Sequence, residues 1–206
     1  SMARFKNGVV MFEGDDGAGS SNRTLMACKA PAAAYVVAQN YEQRPYRVQQ
    51  LKYYHNNCYF KSQNVSGLDS LWISDGTDTF PIVTGIVIAD YWFFGSKIYM
   101  SANDGVNESQ LWHCNLDGTG LTMVSNIQLT ATVDGMWGPQ TNTFGHSPID
   151  LAKVGNRIVY LGINNDFIDN DMSGDFTAGD TPVSLYYQPF YTTEGAGSVN
   201  LVSTIT

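Results

Sequence analysis

Three short phrases recur four times each, in fixed order, along this chain of 206 residues. The first reads GVVMFE at 8–13, NCYFKS at 57–62, KIYMSA at 97–102 and RIVYLG at 157–162. The second reads TLMACK at 24–29, SLWISD at 70–75, QLWHCN at 110–115 and SLYYQP at 184–189. The third reads AYVVAQN at 34–40, FPIVTGI at 80–86, LTMVSNI at 121–127 and VNLVSTI at 199–205. Each first phrase follows a small polar turn: Asn7-Gly8, Asn56-Asn57, Gly95-Ser96 or Gly155-Asn156. Strand-like units repeating every ~40–50 residues point to a propeller or a related array, because one such unit cannot bury its apolar surface alone.

The aligned leucines Leu25, Leu71, Leu111 and Leu185 are separated by 46, 40 and 74 residues. The first two spacings fit one four-stranded unit each. The excess in the third sits at 128–146 and 163–182, both rich in Gly, Asn, Asp and Thr. These read as loop insertions, which is where a rigid scaffold carries function. Lys97–Ser101 and Leu121–Ser125 alternate apolar and polar residues, the period of a half-buried strand. Turn residues Asp75-Gly76-Thr77, Asp117-Gly118-Thr119-Gly120 and Glu194–Gly197 separate the second and third phrases. Strands at 47–54, 88–93 and 148–153 complete four per unit, with only 3–6 available in the first. No segment carries sustained helical periodicity. The expected fold is all-β, one domain over 1–206: a small propeller of four antiparallel blades, with units at about 3–40, 47–86, 88–127 and 147–206.

The segment GSKIYMSANDGVNESQLWHCNLDGTG from Gly95, with LWISDGT at 71–77, resembles the ELWxxDGT repeat of bacterial surface and secreted propeller-like proteins. SPIDLAKVGNRIVYLGINND at 147–166 is similar to the linker and strand of the same repeat. The second and third units carry the resemblance best. The first and fourth have Leu25-Met26 and Leu185-Tyr186 at the LW position, and the family's glutamate is Ser70 and Gln110 here. What the resemblance implies is architecture, since propellers host many functions.

A net charge of −8 with no Lys/Arg cluster argues against nucleic acid and against an anionic membrane surface. No apolar run approaches the ~20 residues of a membrane span. Only 15% of residues are charged, while Gly, Asn, Ser, Thr and Tyr abound, a composition suited to a loop-rich β protein outside the cell or on a virion. The opening Ser-Met reads as a cloning remnant, and no secretory leader follows it. Cys28 and Cys114 occupy equivalent strand positions in different units, so three buried free thiols are expected rather than a disulfide framework.

One stretch has a chemical signature. Residues 169–180 match the twelve-residue calcium loop: Asp169, Asp171 and Ser173 at positions 1, 3 and 5, and Gly174 at 6. Asp175 at 7 offers its carbonyl, Thr177 stands at 9, and Asp180 takes the last position. A hard dication takes six to eight oxygens, at roughly 2.3–2.6 Å, and alternate positions of a curled loop converge on one point. Bound calcium would order this insertion rather than perform Lewis-acid chemistry, since no nucleophile or base accompanies it. Asn103-Asp104-Gly105 reads as an ordinary turn.

Trp72 and Trp112, in register, read as packing residues. Tyr91 and Trp92, in the aromatic run 91–94, and Trp137, in the first insertion, are the candidates for ligand contact. His55, His113 and His146 show no metal-ligand spacing, and no GxSxG elbow is present. The expected function is therefore a non-catalytic extracellular binding or adhesion module for a surface glycan or protein, stabilised by calcium. The alternative is a structural subunit of a virion or cell-surface assembly, with self-association as its mark. A glycosidase, needing two carboxylates across a cleft, is a third and weaker reading.

Overall fold

The computed structural model describes residues 2–4, 8–15, 23–29, 35–37, 46–63, 69–135, 138–163, 167–168, 181–182 and 187–202. The chain divides into two compact units, one of residues 1–88 with 117–119, the other of 89–116 with 120–206. Both are built from antiparallel sheets, and no helix occurs among the described residues.

The first unit holds two four-stranded sheets, each a meander in chain order. One contains β1 (Met2–Arg4), β2 (Val9–Asp15), β3 (Arg23–Lys29) and β4 (Tyr35–Val36). The other contains β5 (Tyr46–Tyr54), β6 (Asn57–Gln63), β7 (Asp69–Ser74) and β8 (Thr79–Val83). Short as it is, β1 pairs with β2, Met2 opposite Phe12. Met11, Leu25, Ala27, Val37, Val48, Leu51, Cys58, Phe60 and Trp72 form one buried cluster. Trp72 stacks on Phe60, its register partner, with ring centroids 6.2 Å apart. Cys58 to Ser62 and Ser70 to Ser74 are buried without alternation, so the middle strands of this sheet are covered on both faces.

In the second unit the main sheets are β9 (Val87–Phe94), β10 (Lys97–Asn103), β11 (Ser109–Asn115) and β12 (Thr122–Met123), and β15 (Ile149–Val154), β16 (Arg157–Ile163), β19 (Tyr187–Thr193) and β20 (Asn200–Leu201). Two small hairpins are added: β13 (Gln128–Gly135) with β14 (Gly138–Gly145), and β17 (Phe167–Ile168) with β18 (Thr181–Pro182). Tyr99, Leu111, Val124, Leu151, Ile158, Tyr160 and Phe190 make the core, with Trp92, Phe94, Ile127 and Val199 packed against it. The first, second and third phrases of each repeat thus contribute the second, third and last strand of one four-stranded sheet.

Turn chemistry explains the sharp corners. Asp75 Oδ1 accepts the amides of Thr77 and Asp78 at 2.8 and 2.9 Å, and Asp117 Oδ1 accepts the amide and hydroxyl of Thr119 at 2.9 and 2.7 Å. Gly118 has φ +84°, and a Cβ there would collide with the Ile82 carbonyl, so the DGT turn needs its glycine. The β5–β6 turn is His55-Asn56, with φ 45° and 63°, one residue earlier than the pattern predicts. The two left-handed positions fall on His and Asn, types that tolerate that conformation.

Two expectations need correction. The stretch 128–146 is not loop: β13 and β14 pair without a break from Gln128↔Gly145 to Gly135↔Gly138. Its β-branched residues Thr130, Thr132, Val133, Thr141 and Thr143 favour that ladder. The cysteines are free as expected, but only Cys58 and Cys114 are buried, and Cys28 is half-exposed. Burial pushes the Cys58 thiol up to about 12, so it is an inert core residue.

Candidate functional site at the insertion rim

In an up-and-down meander, alternate connections leave from the same end of the sheet. The loop Asp104–Glu108 joins β10 to β11, and the chain leaving β12 reaches the same end before entering the β13–β14 hairpin. The chain enters β15 and leaves β16 at matching ends too. Backbone bonds tie these points together. Ser147 N donates to Ser109 O at 2.9 Å, and Ile163 N donates to His146 O at 2.8 Å. Gly145 lies against Ser109 and Glu108, where a side chain would not fit. Both insertions of the second unit therefore spring from neighbouring stretches of backbone.

Gln110 organises this rim. It is wholly buried, and its Nε2 donates to Asn107 O and to Ile127 O, both at 2.8 Å. Its Oε1 accepts from Ser125 Oγ at 2.9 Å and from Ile127 N at 3.1 Å. Ser125 Oγ in turn accepts Leu111 N at 2.7 Å. A carboxylate at this position would lack the two donors that face carbonyls here. Gln128 Nε2 reaches Asn107 Oδ1 at 3.5 Å, joining the foot of the hairpin to the loop.

The loop itself is closed on its own side chains. Asp104 Oδ1 accepts Val106 N at 2.9 Å and Asn107 N at 2.7 Å, while Oδ2 accepts Asn107 Nδ2 at 2.8 Å. The Asn107 amide, followed by that of Val106, holds the Asp104 carboxyl below its ordinary range. Asn103 Oδ1 accepts Gly105 N at 2.6 Å, and Asn103 Nδ2 donates to Glu108 Oε2 at 3.2 Å. Val106 stands at the tip, 78% exposed.

His146 joins the two insertions. Its Nδ1 lies 2.9 Å from Ile163 O, and a carbonyl only accepts, so Nδ1 carries the proton. In the neutral ring Nε2 then accepts the Tyr160 hydroxyl at 3.1 Å. The ring stands perpendicular to Tyr160 and to Phe190, at centroid distances of 5.5 and 4.4 Å. Gly162 makes room, since any Cβ there would strike the imidazole. Burial holds the His146 pKa low. At the other end of these sheets, burial and then Lys97 lower the His113 pKa. Its ring packs edge-on against Tyr99, which accepts Gly195 N at 2.8 Å. Neither His113 nitrogen makes a well-aligned hydrogen bond, although the Gly195 backbone lies close enough to favour the charged form slightly.

The sequence-derived candidates fall as follows. Asp169, Asp171, Ser173, Asp175, Thr177 and Asp180 lie outside the described residues, but the ladder that brackets them does not. Phe167↔Pro182 and Ile168↔Thr181 pair on either side of the segment 169–180. Trp137 is likewise outside the described residues, in the two-residue connection between paired Gly135 and Gly138. Tyr91 is buried completely, edge-on to Phe93 at 5.6 Å, and so presents no ring face to solvent. Trp92 is half-buried against the second unit's core. No group of three or more His, Cys, Asp or Glu able to hold a metal occurs among the described residues. Gln110, Ser125 and His146 were not anticipated. The one available signal was Gly162, which stands where the other three phrases have Glu13, Ser62 and Ala102.

No known family profile matches this chain, and no curated protein sequence matches it. Among solved structures, a variant of the AtxE2 isopeptidase is similar at 9% identity and TM-score 0.48, over 75% of this chain and 24% of that one. A puromycin hydrolase is similar at 12% identity and TM-score 0.47, over 98% of this chain and 36% of that one. The chain thus spans about a quarter and about a third of the length of these two proteins.

Proposed function

We propose that this chain is a non-catalytic, extracellular binding module of a four-bladed propeller, which holds a surface glycan or protein on the rim that carries its insertions. The supporting observation is the common root of those insertions, built from Ser109, Gln110, Ser147, His146 and Ile163. A rigid sheet scaffold that gathers its irregular segments at one end is the usual design of a recognition surface. The propeller reading draws on four meander sheets in chain order, with β6, β7 and β10 buried along most of their length and last strands β4, β12 and β20 of two residues each. Among the described residues no helix is long and apolar enough to cross a membrane.

Calcium is part of the reading. Residues 168 and 181, which flank the oxygen-rich segment 169–180 in sequence, are paired in β17–β18, an anchor that suits a chelating loop. A cation there would neutralise Asp169, Asp171, Asp175 and Asp180 and fix the second insertion for recognition. The test is a glycan array probed with calcium and again with chelator. Calcium-dependent hits are expected, abolished by Asp169→Ala with Asp171→Ala. No hits in either condition, together with a mass in solution of several chains, would replace this reading with that of an assembly subunit.

A further inference from the structure

We propose that the joint between the β14–β15 connector and the end of β16 is an acid-labile latch, with His146 as its sensor. This goes beyond the binding reading and holds whether the rim takes a glycan or a protein.

The joint has two bonds, one in each direction. Ile163 N donates to His146 O at 2.8 Å, and His146 Nδ1–H donates to Ile163 O at 2.9 Å. Tyr160 from β16 caps the remaining ring nitrogen, and Phe190 from β19 and Gly162 from β16 complete the enclosure. The ring is wholly buried, and Tyr160 is the titratable group that touches it among the described residues. Tyr160 is itself pushed well above its ordinary range by burial, so it stays a neutral O–H. Among the described residues no carboxylate faces the ring to support an imidazolium. Protonating Nε2 sets its new N–H against the hydroxyl hydrogen that caps it and places an unpaired charge among aromatic rings.

The direction follows from linkage. In the closed joint the pKa of His146 lies below the 6.5 of an exposed imidazole, so the open form binds more protons as the pH falls. Closure is at full strength above about pH 6.5 and weakens by up to about tenfold per pH unit below it, down to the pKa of the closed form. The foot of the first insertion then parts from the foot of the second, which turns neutral-pH recognition into release in mild acid.

Amide exchange of Ile163, corrected for the intrinsic rate, reads the latch directly, with the His146 ring followed by NMR in the same samples. In the wild type, Ile163 protection is expected to be flat above about pH 6.5 and to fall by up to about tenfold per pH unit below it, in step with His146 protonation. His146→Gln should remove that slope, and His113→Gln should leave it in place. The wild-type ring titration needs no variant and so stands even if His146→Gln does not fold. Imidazolium formation while Ile163 stays protected would overturn the proposal, as would an unchanged slope in His146→Gln.

Discussion

At the residue scale, Gln110 uses both donors and both acceptor positions of its amide inside the protein, in one buried and three part-buried hydrogen bonds. Replacing it with leucine leaves the Asn107 and Ile127 carbonyls and the Ile127 amide without that partner in a part-buried place. We expect Gln110→Leu to cost at least about 2 kcal/mol in urea unfolding, and a loss under about 0.5 kcal/mol would show that water repairs the network. Ser70, the matching residue of the second sheet, is buried with an unpartnered hydroxyl and plays no such part. The resemblance marked both positions as sites of departure, yet the sequence carries no sign that one of them knits a rim. Partners 17 residues away are invisible until the sheets are folded.

Elements were more legible than residues. Alternation, turn dipeptides and the repeated leucines placed the first three strands of the second and third sheets and the first two of the fourth within a residue or two, because period and turn chemistry are local properties; β8 and β12 end three and four residues short of their phrases, and β19 starts three residues later than its own. The first insertion was misjudged because Thr, Asn and Gly suit loops and hairpin ladders alike. Its closed register yields a prediction. Leu129, which is buried, and Phe144 are paired neighbours, so excising 130–143 and bridging them with a short Gly-rich turn leaves the main sheets and that buried side chain in place. The shortened protein should unfold within about 1 kcal/mol of the parent and lose the array binding expected above. A collapse of the whole fold would mean that the hairpin is part of the core.

For the whole molecule, two buried histidines of depressed pKa set the acid limit of stability. Burial lowers both His113 and His146, so the unfolded chain takes up protons first as the pH drops through about 6.5. Asp104 and Asp117, held low by their turn hydrogen bonds, are lost as stabilising groups further into acid. The urea midpoint should therefore be level above about pH 6.5 and decline below it, with His113→Gln and His146→Gln each making the decline shallower. A midpoint that rises on mild acidification would contradict this. Burial of this kind was not legible from the sequence, since His113 takes a variable position of its repeat phrase (Ala27, Ile73 and Tyr187 in the others), His146 lies outside the phrases, and both depend on long-range packing.

The outermost strands have a consequence for life in concentrated solution. β4, β12 and β20 are each two residues long, and β8, at five, carries Pro81 within it. A rung of two residues is too brief a template for a foreign strand, and proline removes a donor from β8, the longest of these four. On the side closed by its last strand each sheet therefore resists edge-to-edge growth into fibrils, a safeguard written into chain length and one imino acid rather than into charge; the opposite edges β5, β9 and β15 are longer.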